Sequence, residues 1–215
     1  MPIPKILHQI WIGDPALQPT DWMNTYKDFC EEEGWEYKLW TETEIDEMDL
    51  VNQVNYDWYI ENEKYHGAAD IARVEIIYRE GGWYFDADGE MVNGHAFAAA
   101  TFHEAGLVVC IAGTGSHKYR TYNGTFGARP NHPMFEHYMK LIGGVKGQQL
   151  KPAWDTVGGT FMAHALDKVY EEGCEDIMII PGHHFFSQTA VFHPWTPVYA
   201  RHYWGSTNGL YDANI

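Results

Sequence analysis

Residues 65–88, "YHGAADIARVEIIYREGGWYFDAD", constrain this chain most, because a helical pattern, a double glycine and a β-rich run follow one another without a linker. Apolar residues recur at helical spacing through "AADIARVEIIY", and Gly81 and Gly82 can adopt the backbone conformations that end a helix. The strand-like "WYFDA" begins at once, so the helix must fold back onto the sheet that receives it. The same alternation runs along the rest of the chain. "KILHQIWI" (5–12), "WEYKLW" (35–40), "LVVCIA" (107–112) and "DIMIIP" (176–181) read as strands. Helices are expected from Thr20 or Asp21 to about Glu33, in acidic segments up to about residue 63, from Tyr65 to Arg79, and over 133–142 and 159–173. Alternating strands and helices predict an α/β sheet covered by helices, with ligands met beyond the carboxyl ends of the strands.

With 215 residues and no internal repeat or Pro/Ser-rich linker, the chain reads as one domain spanning 1–215. The net charge of −16 argues against nucleic acid as a partner. That charge is uneven: residues 1–90 hold 21 acids and 6 bases, whereas 91–215 hold 9 and 8. An anionic ligand would therefore need a metal, a few focused bases, or both, with Lys118, Arg120, Arg129 and Arg201 as candidates among the eight bases of the second half, the alternative for each being a plain surface charge. No apolar run is long enough to span a membrane, and no secretory leader is evident at the N-terminus. Three widely spaced cysteines, Cys30, Cys110 and Cys174, suggest free structural thiols in a reducing compartment, so a cytoplasmic location is expected.

Asp86 and Asp88 give the strand end its chemistry. Alternation along an extended backbone would put both carboxylates on one side with Ala87 pointing away. Paired carboxylate oxygens suit a hard divalent cation such as Mn²⁺ or Mg²⁺. An acidic turn or a catalytic acid pair would use the same residues, since about one such D-x-D is expected by chance among 13 aspartates. Small Ala87 and Gly89 would let a bulky ligand approach the backbone. On the preceding helix Asp70 and Arg73 are three apart and share a face, either as a surface ion pair or as partners for sugar hydroxyls. Ala68, Ala69 and Ala72 beside them allow close packing on the sheet. Twelve scattered histidines suggest no zinc site.

"IPKILHQIWIG" followed by "YHGAADIARVEIIYREGGWYFDAD" resembles the DXD-type sugar transferases of glycosyltransferase family 32. That family includes fungal initiating mannosyltransferases and bacterial capsular polysaccharide enzymes, and is distantly similar to the glucosylating toxins. The resemblance implies a GT-A fold, a nucleotide-sugar donor (a UDP-sugar before GDP-mannose), a glycan or other hydroxyl acceptor, and Mn²⁺ or Mg²⁺ on the diphosphate. It also implies retention of anomeric configuration. By position, Trp11 would stack on the donor base, the alternative being an interior strand aromatic. Asp70 and Arg73 would contact the sugar, Asp86 the ribose and sugar, and Asp88 the metal. The metal set would be Asp86, Asp88 and a residue of the C-terminal segment, where "ARHYWGS" offers His202 four residues before Ser206. The chain departs from the family's pattern at Val157-Gly158-Gly159, and at Thr207, where a tryptophan usually follows the serine. A nucleotide-sugar hydrolase and a carbohydrate-binding descendant are the competing readings.

Overall fold

The computed structural model describes residues 1–112, 120–150, 152–186 and 196–204. In chain order the elements are β1 (Ile6–Ile10), α1 (Thr20–Glu33), β2 (Glu36–Trp40), α2 (Glu42–Asp46), α3 (Gln53–Glu61), α4 (Tyr65–Glu80), β3 (Gly82–Phe85) and β4 (Gly89–Met91). They continue as α5 (Gly94–Ala98), β5 (Leu107–Ala112), β6 (Arg120–Ala128), α6 (Pro133–Gly143), α7 (Ala153–Thr156), α8 (Gly159–Glu171), β7 (Ile177–Pro181) and β8 (Ala200–His202). Six strands form one mixed sheet in the order β2-β1-β3-β6-β5-β7. Strands β1, β2 and β3 are parallel, as are β5 and β7, whereas β6 runs antiparallel to both of its neighbours. Strands β4 and β8 form a separate two-stranded ribbon.

Local chemistry explains why the elements end where they do. Helix α1 stops at Gly34, which takes φ +69°, a conformation costly for any residue with a Cβ. At the end of α4, Gly81 and Gly82 take φ +68° and +95°. A Cβ at position 82 would also lie 2.6 Å from the Ile6 carbonyl oxygen. The double glycine therefore lets the chain reverse directly from α4 into β3 against β1.

Side-chain alternation along β3 divides the core. Tyr84 faces a cluster with Ile71, Val74 and Ile77 of α4, Phe135 of α6 and Met162 of α8. Trp83 and Phe85 face the other way, into an aromatic cluster with Tyr26 and Phe29 of α1, Phe97 of α5 and Phe185. All of these side chains are buried.

Two sequence expectations change. Residues 120–128 form the longest strand, β6, although "RTYNGTFGA" carries two glycines and no strand was expected there. Its glycines serve close approach. A Cβ at Gly127 would lie 2.5 Å from the Trp83 ring, and one at Gly124 would overlap the Asp86 carboxylate. Secondly, Ala87 and Asp88 form a turn and do not continue the strand. The strand ends at Phe85 and the chain turns into β4, so strand alternation is not what aligns the two aspartates.

Candidate active site at the carboxyl ends of two strands

The ends of β1 and β3, the middle of α4 and strand β8 enclose a cavity of about 310 Å³. Its lining includes Trp11, Asp70, Arg73, Asp86, Asp88 and His202. The fold thus gathers Trp11, Asp70, Arg73, Asp86, Asp88 and His202 at one place.

Arg73 holds the centre together. Its Nη2 is 3.2 Å from Asp70 Oδ1 and its Nη1 is 3.1 Å from Asp86 Oδ1. The same Nη1 donates to Asn123 O at 2.8 Å, and Nε donates to Ala69 O at 3.2 Å. The guanidinium carbon sits 4.4 Å from the centroid of the Tyr84 ring. Arg73 is only 5% exposed, so the pair with Asp70 is buried and not a solvated surface bridge. Most of its donors are spent on the protein, which makes Arg73 a clamp tying α4 to the ends of β3 and β6.

Two carboxylates on one guanidinium are driven apart in acidity. Burial pushes the Asp70 carboxyl up; Arg73 and an Asn123 amide donating at 2.6 Å oppose this, but the negative Asp86 adds to the rise. Burial also pushes Asp86 up. There Arg73, His202 and the Tyr84 hydroxyl, which donates at 2.8 Å, outweigh it and hold the carboxyl below the usual range. The Asp86 backbone is fixed as well: its N–H donates to Gly124 O at 2.9 Å and its carbonyl accepts from Gln9 Nε2 at 3.2 Å.

His202 reaches the aspartates through the ribbon, where it pairs with Gly89 across β4 and β8. Its Nε2 lies 3.0 Å from Asp86 Oδ2 and 3.1 Å from Asp88 Oδ1. Burial disfavours charge on this ring, but Asp88 and Asp86 more than offset it and raise its pKa. The Trp204 N–H donates to Nδ1 at 3.1 Å, which leaves the proton of the neutral ring on Nε2, between the carboxylates.

The donor atoms of Asp86, Asp88 and His202 lie within 4.8 Å of one another, a spacing a single ion can bridge. Carboxylate oxygens at that spacing suit a hard divalent cation once the His202 Nε2 proton between them is displaced. His202 fits only if Nε2 gives up its proton and Nδ1 turns from the Trp204 N–H. Gly89 has a different role from the one expected. A Cβ there would lie 2.7 Å from the Tyr26 hydroxyl and 2.9 Å from Arg201 O, so its smallness seats the ribbon against α1 and does not admit a ligand.

Trp11 follows β1, is 7% exposed, and packs with Met23 and Ala87 while lining the cavity; its Nε1 donates to Asp14 O at 3.2 Å. Of the expected cations, Arg129 pairs with Asp176 and Arg201 with Glu90, and neither lines the cavity. Lys118, the Arg120 side chain and Ser206 lie outside the described residues. Asn123 and Tyr84 were missed in the sequence. Tyr84 precedes Asp86 by two, so β-spacing could have signalled it; nothing local marks Asn123.

A second potential ligand cluster, His132, Cys174 and Asp176, lies at the opposite end of β5 and β7. It is a closed hydrogen-bond lock. Arg129 Nε and the Cys174 thiol donate to Asp176 at 2.8 and 3.1 Å, and His132 Nε2 is 3.3 Å from it. His132 Nδ1 already accepts from Met134 N, so a metal on Nε2 would demand an imidazolate. Cys30 and Cys110 are buried free thiols. Among the described residues, no helix is long and apolar enough to cross a membrane.

Residues 19–96 match the family described as "Glycosyltransferase sugar-binding region containing DXD motif". Inositol phosphoceramide mannosyltransferase 1 of Schizosaccharomyces pombe is 33% identical over 96 residues, covering 40% of this chain and 28% of the relative. An uncharacterized glycosyltransferase, L373, of Acanthamoeba polyphaga mimivirus is 28% identical over 152 residues, covering 64% of this chain and 55% of the relative. The chain therefore spans about a quarter to a half of the length of these curated relatives. Among solved structures, the PaToxG glycosyltransferase superposes with a TM-score of 0.64 at 18% identity, covering 79% of this chain and 71% of that one, and shares the GT-A fold. The D-x-D turn and the α4 clamp that supports it both fall within the segment that matches the DXD-containing glycosyltransferase region, and in that segment the chain is similar to family-32-like glycosyltransferases.

Proposed function

We propose that this protein is a metal-dependent glycosyltransferase that moves a hexose from a nucleoside diphosphate sugar to a hydroxyl acceptor with retention of configuration. One observation carries the reading: Asp70, Arg73, Asp86, Asp88 and His202 meet in one cavity beyond the carboxyl ends of β1 and β3. Asp88 and Asp86 would hold Mn²⁺ or Mg²⁺, with His202 joining when Nε2 is deprotonated. When bound, the ion would neutralise charge on the diphosphate leaving group. It would also reconcile an anionic donor with a chain of net charge −16.

The protein's own groups position the donor. Trp11 would meet the base, Asp86 the ribose and sugar, and Asp70 a sugar hydroxyl, with Arg73 holding both carboxylates in place. Retention rests on the family resemblance, and no protein nucleophile is assigned. The acceptor oxygen attacks the anomeric carbon on the face the diphosphate leaves, the carbon–oxygen bond to phosphate breaks, and a phosphate oxygen takes the acceptor proton. UDP-hexoses are the first donors to test, and the mannosyltransferase relatives put GDP-mannose beside them.

The experiment is a panel of UDP-glucose, UDP-galactose, UDP-N-acetylglucosamine and GDP-mannose with Mn²⁺, with and without hydroxyl acceptors. Nucleotide release that rises with an acceptor supports transfer. Release that no acceptor stimulates points to hydrolysis, and no release from any donor removes the reading.

A further inference from the structure

Beside the donor cavity opens a second one of about 480 Å³, and the two share His66 and Trp154. Buried Tyr59, Leu150 and Ala153 form its walls, and Lys64 and His66 add polar groups. Lys64 takes no ion-pair partner among the described residues. The wall between the cavities is thus one indole and one imidazole.

Trp154 stands out by its exposure. At 60% it is the most exposed tryptophan among the described residues, although Ala153 and Val157 on either side of it are buried. Its backbone is nevertheless tightly seated. The Tyr138 hydroxyl of α6 lies 2.8 Å from both the Val157 and Gly158 carbonyl oxygens. A Cβ at Gly158 would lie 2.8 Å from Trp154 Cα and 3.1 Å from Asp70 Oδ2, so no side chain separates the α7 corner from Asp70. A broad apolar ring is thereby presented to solvent from a fixed backbone, next to the carboxylate assigned to the donor sugar. A pyranose has the complementary shape: one C–H face for an indole, and an equatorial rim of hydroxyls for Lys64 and His66.

We propose that the second cavity is the acceptor subsite and that it takes a carbohydrate, its ring lying on Trp154 and its reacting hydroxyl directed past His66 toward Asp70. This assignment rests on the transferase reading above.

The test takes the donor that the wild-type protein turns over and adds methyl glycosides of glucose, galactose, mannose and N-acetylglucosamine. The quantity measured is the partition of donor between glycoside and water. In Trp154→Ala the transfer-to-hydrolysis ratio with the best glycoside is expected to fall at least about ten-fold, with a higher KM for that glycoside. Trp154→Phe, which keeps an apolar ring, should stay within about three-fold of wild type. Because the side chain is largely exposed, both variants should fold, and unchanged thermal unfolding checks this. An unchanged ratio in Trp154→Ala overturns the subsite. So does a wild-type protein that hydrolyses its donor but transfers to none of the glycosides. If the wild-type protein releases no nucleotide from any donor, the transferase reading falls and the subsite with it, a result distinct from the other two.

Discussion

At the scale of single residues, charge placement decides the chemistry. Asp88 is 7% exposed beside His202 and Asp86, so Asp88→Asn keeps its volume and removes one charge from the proposed metal ligands. Turnover should fall at least about 100-fold, since the ion's charge stabilisation is worth several kcal/mol. The unfolding midpoint should barely move. Wild-type turnover that survives exhaustive EDTA treatment would sink the metal assignment. Arg73 makes the opposite kind of prediction. Arg73→Met leaves the Asp70 and Asp86 carboxylates buried together without their shared cation. Breaking a buried ion pair from one side costs about 3–5 kcal/mol. Urea unfolding should register that loss, and a change under about 1 kcal/mol would mean the pair behaves as a solvated surface bridge.

At the scale of elements, the α4–β3 turn is locked by His8, whose ring is fully buried. Its Nε2 donates to Gly81 O at 2.9 Å and its Nδ1 accepts from Trp40 Nε1 at 3.0 Å. The neutral ring satisfies both contacts, and protonation would break the second. Burial lowers its pKa to about 4, with the Gly81 bond only partly opposing. The unfolded chain therefore binds a proton below about pH 6.5 that the native state refuses until about pH 4. Stability from this residue is complete above pH 6.5 and is lost as pH falls through that window, by about 3 kcal/mol in all. His8→Gln keeps a donor for Gly81 O and cannot titrate. The wild-type stability advantage should shrink by that amount between pH 7 and 4, measured by urea unfolding at several pH values. A pH-independent difference between the two proteins would rule out His8 as the acid-sensitive group.

At the scale of the whole molecule, the site joins segments distant in the chain: Trp11 after β1, Asp70 and Arg73 on α4, Asp86 and Asp88 after β3, and His202 on β8. A ligand that bridges them should stabilise the entire fold. Donor with Mn²⁺ at 100 times its Kd should add about 2.7 kcal/mol, raising Tm by roughly 5–10 °C for a chain of this size. EDTA should return Tm to the ligand-free value. A thermal shift with donor that EDTA leaves untouched would place the nucleotide sugar on groups other than the D-x-D.

Sequence alone determined the features whose physics is local. Helical spacing put Asp70 and Arg73 on one face, the double glycine set the reversal into β3, and the carboxylate pair marked a candidate cation site at the strand end. Tertiary structure decided what those groups face. β6 was illegible because glycine is a poor strand former; only the Trp83 ring and the Asp86 carboxylate lying against it give Gly127 and Gly124 their reason. The turn of Asp86–Asp88 away from the sheet follows from the pairing of β4 with β8, an interaction between residues 89–91 and 200–202 that leaves no periodic trace in either segment. Burial was equally out of reach. The spacing D-x-x-R is the same for a solvated pair and a buried clamp, and only the packing of α4 on the sheet strips water from Arg73 and turns it toward two carboxylates.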